Sequence, residues 1–322
     1  MTRGFSFVAA AMVMGLAPAA HAQDYPSRNI TMINPYQAGG GGDIPSRWFA
    51  EKLGPIVGKP VVVLNKPGGN TTIGAHEVAQ AKPDGYTILM TAGNSTMVAN
   101  VFQIKNLSYD PEKDFAPVTT LFRTPFILAV GANAPVNSVA ELTKRLKEKG
   151  RGHYGRGVTV MGLLAAELYK SIAGIEGIED VPYKDQQPLF ADLKEGTIEF
   201  AFLDATSAKQ AKEGGQAKLL AVTPSVRAPF LADLPTMHEA GVPGYEIMAW
   251  FAVYAPAKTP APIVAKLSGW FNQVLAMEET KNFLTTSGTS PFPGNPEQLA
   301  KFQAAEREKW GILFKKAKLE PQ

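Results

Sequence analysis

Apolar residues along this chain fall into short runs and helical stripes that alternate. Residues 29–33, Asn-Ile-Thr-Met-Ile, read as a strand, and 44–53 predict a helix after a glycine-rich loop. Residues 60–64 are continuously apolar, the pattern of a parallel strand covered on both faces. A second Gly-rich loop, a helix over 72–81, a turn at Pro83-Asp84-Gly85 and a strand over 86–91 follow, the last ending in a polar loop at 92–96. This repeated strand–loop–helix order argues for an α/β fold with a parallel sheet.

Residues 115–130 break the rhythm. They read as two extended pieces, 116–122 and 126–130, separated by Pro125, and suggest a first crossing into a second domain. There the pattern resumes: a helix over 139–149, a loop over 153–159, a helix over 160–172, and strands over 180–183, 198–203 and 219–223, with a helix at 188–194. Residues 247–255 read as the return crossing. Two amphipathic helices close the chain: Ile263, Leu267, Phe271, Val274 and Leu275 share one face, and Leu299, Phe302, Trp310, Leu313 and Phe314 another. The expected domains are 23–124 with 248–322, and 125–247.

The N-terminus changes the compartment. Arg3, an uncharged apolar stretch over 5–17 and Ala20-His21-Ala22 have the order of a secretory signal peptide, with cleavage after residue 22. The apolar stretch is shorter than a membrane span needs. The chain has no cysteine, so disulfides cannot brace it and a zinc site is disfavoured. A net charge of +3 without basic blocks points away from nucleic acid.

The chemistry-bearing feature is Asn34-Pro-Tyr-Gln-Ala-Gly-Gly-Gly-Gly-Asp43, followed by Ile44 and Pro45. It lacks the Lys-Ser/Thr of a phosphate-binding P-loop, and its glycines fit no dinucleotide fingerprint. Asp43, at the expected N-cap, disfavours a dianion. What remains is a loop of bare N–H groups before a helix, suited to a small carboxylate closely approaching the main chain. His76-Glu77 starts like a zinc-protease motif, but Gln80 occupies the second histidine's place, so His76 reads as a helix-surface residue. No G-x-S-x-G elbow is present. Asp204, after an apolar strand, reads either as an N-cap or as a partner for a ligand hydroxyl or amine. Arg156, between two glycines, reads either as a solvated loop residue or as a bidentate carboxylate clamp. Trp250 and Tyr254 read as core or hinge residues.

Taken in order, the glycine loop with Arg47, Asn65-Lys-Pro-Gly-Gly69, Lys82-Pro-Asp-Gly-Tyr-Thr87, Val181-Pro-Tyr-Lys184, Leu219 to Thr223 with Arg227, Leu234-Pro-Thr236, Glu239-Ala-Gly241 and Trp250 to Pro256 resemble the periplasmic solute-binding proteins of tripartite tricarboxylate transporters, the Bug family. The resemblance implies a two-domain α/β periplasmic binding fold with two crossings and a ligand cleft. It implies a monomeric, non-enzymatic receptor without cofactor or metal, which closes over an organic acid and delivers it to a membrane permease. It places Tyr36, Gln37, Ala38, Gly39, Gly40 and Asp43 at the ligand, with Asn94 and Ser95, and with Arg156, Gly157, Val158, Thr159 and Asp204 from the second domain. The chain departs from the family where Ser and His are usual: Val160 and Leu163 stand there. That departure suggests an acid with an apolar or aromatic body, with Arg156 supplying charge. An exported enzyme using Asp43 or Asp204, or a ligand-sensing module, are the alternatives.

Overall fold

The computed structural model describes residues 25–39, 42–157, 160–183, 185–225, 227, 231–316 and 321. The signal-peptide expectation, Gly40, Val158 and Thr159 lie outside them.

Three parallel strands open the fold. β1 (Ile30–Asn34) lies between β2 (Val61–Asn65) and β3 (Thr87–Ala92), with α1 (Asp43–Val57) and α2 (Thr72–Ala79) as the crossovers. The expectation that 60–64 is covered on both faces fails. β2 is the sheet edge, and Val62 and Leu64 are 48% and 42% exposed. Only Val61 and Val63 pack inward, against the cluster that holds Phe49 and Leu53 of α1. The loop expected at 92–96 is instead a wide helical turn, Asn94–Ala99, running into α3 (Asn100–Gln103).

β4 (Phe115–Gly131) is one unbroken strand rather than two pieces. Up to Pro125 it pairs with β9 (Met248–Pro256); from Phe126 it pairs with β7 (Phe200–Asp204) and β8 (Ala217–Val222). The proline falls where one set of partners gives way to the other, so its missing N–H breaks no continuous ladder. β9 also pairs with β3, so the return crossing runs beside the outward one. Each half of the fold thus has its own sheet face and helices, the two-lobe arrangement expected.

In the second lobe β5 (Gly152–Arg156) pairs in parallel with β6 (Ile178–Pro182) and β7. It was expected as a loop. Gly155 hides it: a Cβ there would stand 2.5 Å from Ile198 Cδ1, so close strand–loop packing requires glycine where an apolar residue would have signalled a strand. Helices α4 (Val139–Lys149), α5 (Val160–Ala173), α6 (Gln186–Glu195) and α7 (Ala205–Glu213) cover this sheet. Ser138 caps α4, its side chain accepting from the Glu141 N–H at 3.2 Å.

Three helices rather than two close the chain: α8 (Ala261–Ala276), α9 (Glu278–Thr286) and α10 (Pro296–Lys316), with the short β10 (Ser290–Pro291) pairing β4. α9 escaped the sequence reading because only Thr280 and Leu284 are buried on it. α10 carries Leu299, Trp310 and Leu313 into the cluster that also holds Leu164 and Tyr169 of α5, so it packs on both lobes.

Leu163, which stands where the family's His is usual, belongs to this same core cluster and is buried. Leu163→Ala should therefore lower unfolding stability by about 2–5 kcal/mol in denaturant titration and leave the ligand affinity of the folded fraction unchanged. A cleft-lining leucine would show the reverse.

Candidate functional site

The loop between β1 and α1 is organised by a carboxylate that is only 1% exposed, that of Asp43. Its Oδ2 accepts from the Gly39 N–H and from Arg47 Nε, both at 2.8 Å. Its Oδ1 accepts from Asn65 Nδ2 at 2.7 Å and from Asn34 Nδ2 at 3.2 Å. Desolvation pushes this carboxyl up, but the hydrogen bonds from Arg47, the Gly39 N–H and Asn65, with the Arg47 charge, outweigh it and hold it at about 2. Asp43 is not the N-cap expected: Gly42 takes that position without a side-chain bond, and Asp43 opens the helix with its carboxylate turned back into the loop. The favourable field at the N-terminus of α1 thus acts on the chain's own anion.

The glycine run also has an internal cause. A Cβ at Gly42 would stand 2.2 Å from Tyr36 Cδ2, because the Tyr36 ring folds back over the main chain. It is this ring, not a guest, that excludes a side chain at 42. The Tyr36 hydroxyl accepts from the Ala92 N–H at 2.8 Å and shares a hydrogen bond with Thr91 Oγ1 at 3.2 Å. Burial pushes this phenol's pKa up, so it stays neutral. Gln37, Ala38 and Gly39 are exposed. The Tyr36 N–H donates to Asn34 Oδ1 and the Gly39 N–H to Asp43, whereas the Gln37 and Ala38 N–H groups have no acceptor among the described residues.

A buried hydroxyl network ties this loop to the next two. Thr91 bonds Thr96 at 2.6 Å, Thr96 bonds Thr71 at 2.8 Å, and Tyr109 donates to the Thr96 carbonyl at 2.6 Å. Asn70 and Thr71 have φ of 53° and 75°. For β-branched Thr71 this is strained backbone, held in place by the network.

The second lobe meets these loops at the start of α5. Asn94, buried after β3, bridges the lobes: its Nδ2 donates to Met161 Sδ in the first turn of α5 at 2.9 Å, and its Oδ1 accepts from the Trp250 N–H at 3.2 Å. Ser95 beside it is half-buried. Asp204 stands opposite Phe126 where β4 crosses. It caps α7, accepting from the Ser207 N–H at 3.0 Å and from the Ser207 hydroxyl, and Gln186 Nε2 reaches it at 3.4 Å. Arg156 ends β5 instead of lying in a loop. Its Nε and Nη2 each reach Asp180 Oδ2 at 3.0 Å. Burial pushes the Asp180 carboxyl up, and Arg156 partly offsets it. Gly157 follows directly. His76 bonds the Ser108 carbonyl on the surface, as expected of a helix-surface residue. Among the described residues no cluster of three or more His, Asp or Glu is placed to hold a metal ion.

Sequence reasoning missed Met161, Asn34 and Thr91. Asn34 is the last residue of β1 and Thr91 the last but one of β3, positions that carry a sequence signal once the strands are drawn. Met161 carries none, because its contact depends on how the lobes meet.

The model of the tripartite tricarboxylate transporter family receptor matches residues 46–319. The chain belongs to this receptor family. Among its relatives, a protein encoded in the tcbD-tcbE intergenic region of Pseudomonas sp. (strain P51) is 32% identical, over 95% of this chain and 91% of its own. BugT of Bordetella pertussis is 28% identical, over 92% and 91%. Among solved structures, R. palustris Rpa4515 with adipate is 34% identical with a TM-score of 0.78, over 93% of this chain and 100% of its own. The periplasmic binding protein BugD is 31% identical with a TM-score of 0.73, over 92% and 100%. MatC from Rhodopseudomonas palustris with bound malate is 28% identical with a TM-score of 0.71, over 90% and 99%. This chain is accordingly a solute-binding receptor of the tricarboxylate-transporter family, built as a two-lobe periplasmic binding fold.

Asp43 generates a signed prediction. Its folded pKa lies below the usual value, so its contribution is full above pH ~4 and is lost as pH falls through about 2. Asp43→Asn should cost about 2 kcal/mol near neutral pH, and in denaturant titration the gap between variant and wild type should narrow between pH 4 and 2. A gap that stays constant across that range would refute the assignment.

Proposed function

We propose that this receptor works in the periplasm as a monomer, closing its lobes over a small organic acid and passing it unchanged to a membrane permease. The observation that carries the reading is the two exposed, unengaged amides of Gln37 and Ala38 in the loop after β1, in a fold whose lobes meet at the Asn94–Met161 contact. Such amides stabilise a carboxylate without a fixed cation, which suits release as well as capture. The hinge is proposed at 124/125 and 247/248, giving lobes of 23–124 with 248–322 and of 125–247; the change of β4 partners at Pro125 supports it.

The proposed contacts are Tyr36, Gln37, Ala38, Gly39, Gly40 and Asn94 with Ser95 from the first lobe, and Arg156, Gly157, Val158, Thr159 and Asp204 from the second. Asp43 acts behind them by fixing the loop. Arg156 holds Asp180 through Nε and Nη2, which leaves Nη1 as its donor toward a ligand carboxylate. The Met161 thioether and the Tyr36 ring, packed 6.0 Å from Phe251, support an acid with an apolar body. The relatives bound to adipate and malate frame that choice.

A thermal-shift panel tests it. Aliphatic and aromatic acids of adipate size should raise the Tm most, a ligand at a hundred times its dissociation constant adding about 2.7 kcal/mol. The ligand should be recovered chemically intact. A response confined to malate and citrate would overturn the apolar reading, and product formation would overturn the receptor reading.

A further inference from the structure

A cavity lies where the crossing strands β4 and β9 meet α10. Its volume is about 120 Å³. Arg123 of β4 and Met248 and Trp250 of β9 supply one wall, and Phe292, with Phe302 of α10, the other. Trp250 separates it from the cleft. The six-membered edge of its ring covers Gly93, where a Cβ would stand 1.9 Å from Trp250 Cζ3. The pyrrole edge with Nε1 therefore points away from the cleft loops.

The hydrogen-bond inventory of this cavity is one-sided. Trp250 is 1% exposed, and its Nε1–H has no acceptor. The half-buried Arg123 stacks on the Phe292 ring, its guanidinium carbon 5.4 Å from the centroid, and makes no ion pair or hydrogen bond with the described residues. The other charged groups at the rim are engaged. Glu306 accepts from Trp310 Nε1 at 3.1 Å and from Lys309 at 3.4 Å. Lys309 also donates to the Glu246 carbonyl at 2.6 Å, and the Glu246 carboxylate accepts from the Ser225 hydroxyl at 3.1 Å. What is left unmatched is a guanidinium and a buried N–H, both donors, between aromatic walls. A donor left unpaired inside a protein costs about 1–3 kcal/mol, so the site is built for an acceptor.

We propose that this hinge cavity is a second binding site, for a small monocarboxylate of acetate size, held by Arg123 and the Trp250 N–H. Size sets the upper limit: about 120 Å³ is less than the roughly 150 Å³ that admits benzene, so a guest of few heavy atoms fits. Charge sets the class. A guanidinium and an N–H favour a planar anion with two oxygens over a neutral guest, and the engaged Glu306 and Glu246 at the rim disfavour a second negative charge. Because the walls come from both crossing strands and from α10, an occupant bears on the segment about which the lobes turn.

The test follows the Trp250 indole N–H in ¹⁵N-labelled full-length mature protein, its resonance assigned with Trp250→Phe. Sodium acetate is titrated at pH 7, with ionic strength held by sodium HEPES, whose anion exceeds the cavity. The expected result is a saturating shift of the Trp250 resonance. Arg123→Gln should weaken that saturation about tenfold or more, and Arg123→Lys by less. A shift that does not saturate in the wild type overturns the site. Equal saturation in a folded Arg123→Gln protein overturns it too, since acetate would then be bound elsewhere, the cleft included. Should Arg123→Gln fail to fold, the wild-type titration and Arg123→Lys decide: unchanged affinity in the lysine variant, whose ammonium cannot give the fork, counts against the proposal.

Discussion

A buried negative charge must be paired where it sits, and Asp43 imposes that requirement on the whole cleft face of the first lobe. Its four donors come from the end of β1, the loop after it, the second turn of α1 and the end of β2. Asn65 then reaches on to the Tyr36 carbonyl at 3.0 Å and accepts from Arg47 Nη2 at 2.8 Å. Two strand ends and a helix start are thereby held in one arrangement before any guest arrives. The arrangement also decides where a guest's charge can go. The N-terminus of α1 already serves an internal anion, so its field is not free for a second carboxylate.

The second lobe is organised differently. Its cleft-facing acids and bases are matched within the lobe: Arg156 with Asp180, and Asp204 with the start of α7. Neither is a loose charge waiting for a partner. On this side the start of α5 brings the polarizable Met161 against Asn94 of the first lobe, while Arg156 stays paired with Asp180 through Nε and Nη2. A site of this kind discriminates by shape and by the position of carboxylates more than by counting charges.

Features encoded locally were legible in the sequence. The parallel order of β1 to β3, the crossings at β4 and β9, and the capping role of Asp204 each follow from periodicity or cap chemistry within a few residues. What escaped depended on distant partners. Gly155 concealed β5 because its reason is Ile198, on another segment. Gly42 suggested a guest because the ring that needs the space, Tyr36, lies six residues upstream and its fold-back leaves no pattern. Leu163 stood at a family ligand position, yet the turn of α5 carries it into the core and leaves Met161 toward Asn94. Periodicity places a residue on a helix; which face meets the other lobe is settled by tertiary packing.

The hinge is where these threads join. β9 enters the first lobe between β3 and β4, and its Trp250 main chain donates to Asn94 while its ring lies on Gly93. Asn94 in turn touches α5 of the other lobe. A change in lobe orientation must therefore move or break the Asn94–Met161 contact, while the Trp250–Asn94 bond stays within the first lobe. Any ligand that favours one lobe orientation is coupled to that orientation reciprocally, by thermodynamic necessity. α10 strengthens it, because it packs on β4 and also on α5 and cannot follow one lobe without sliding on the other. A receptor built this way needs no separate signal to report that it is loaded. The orientation of the lobes already carries it.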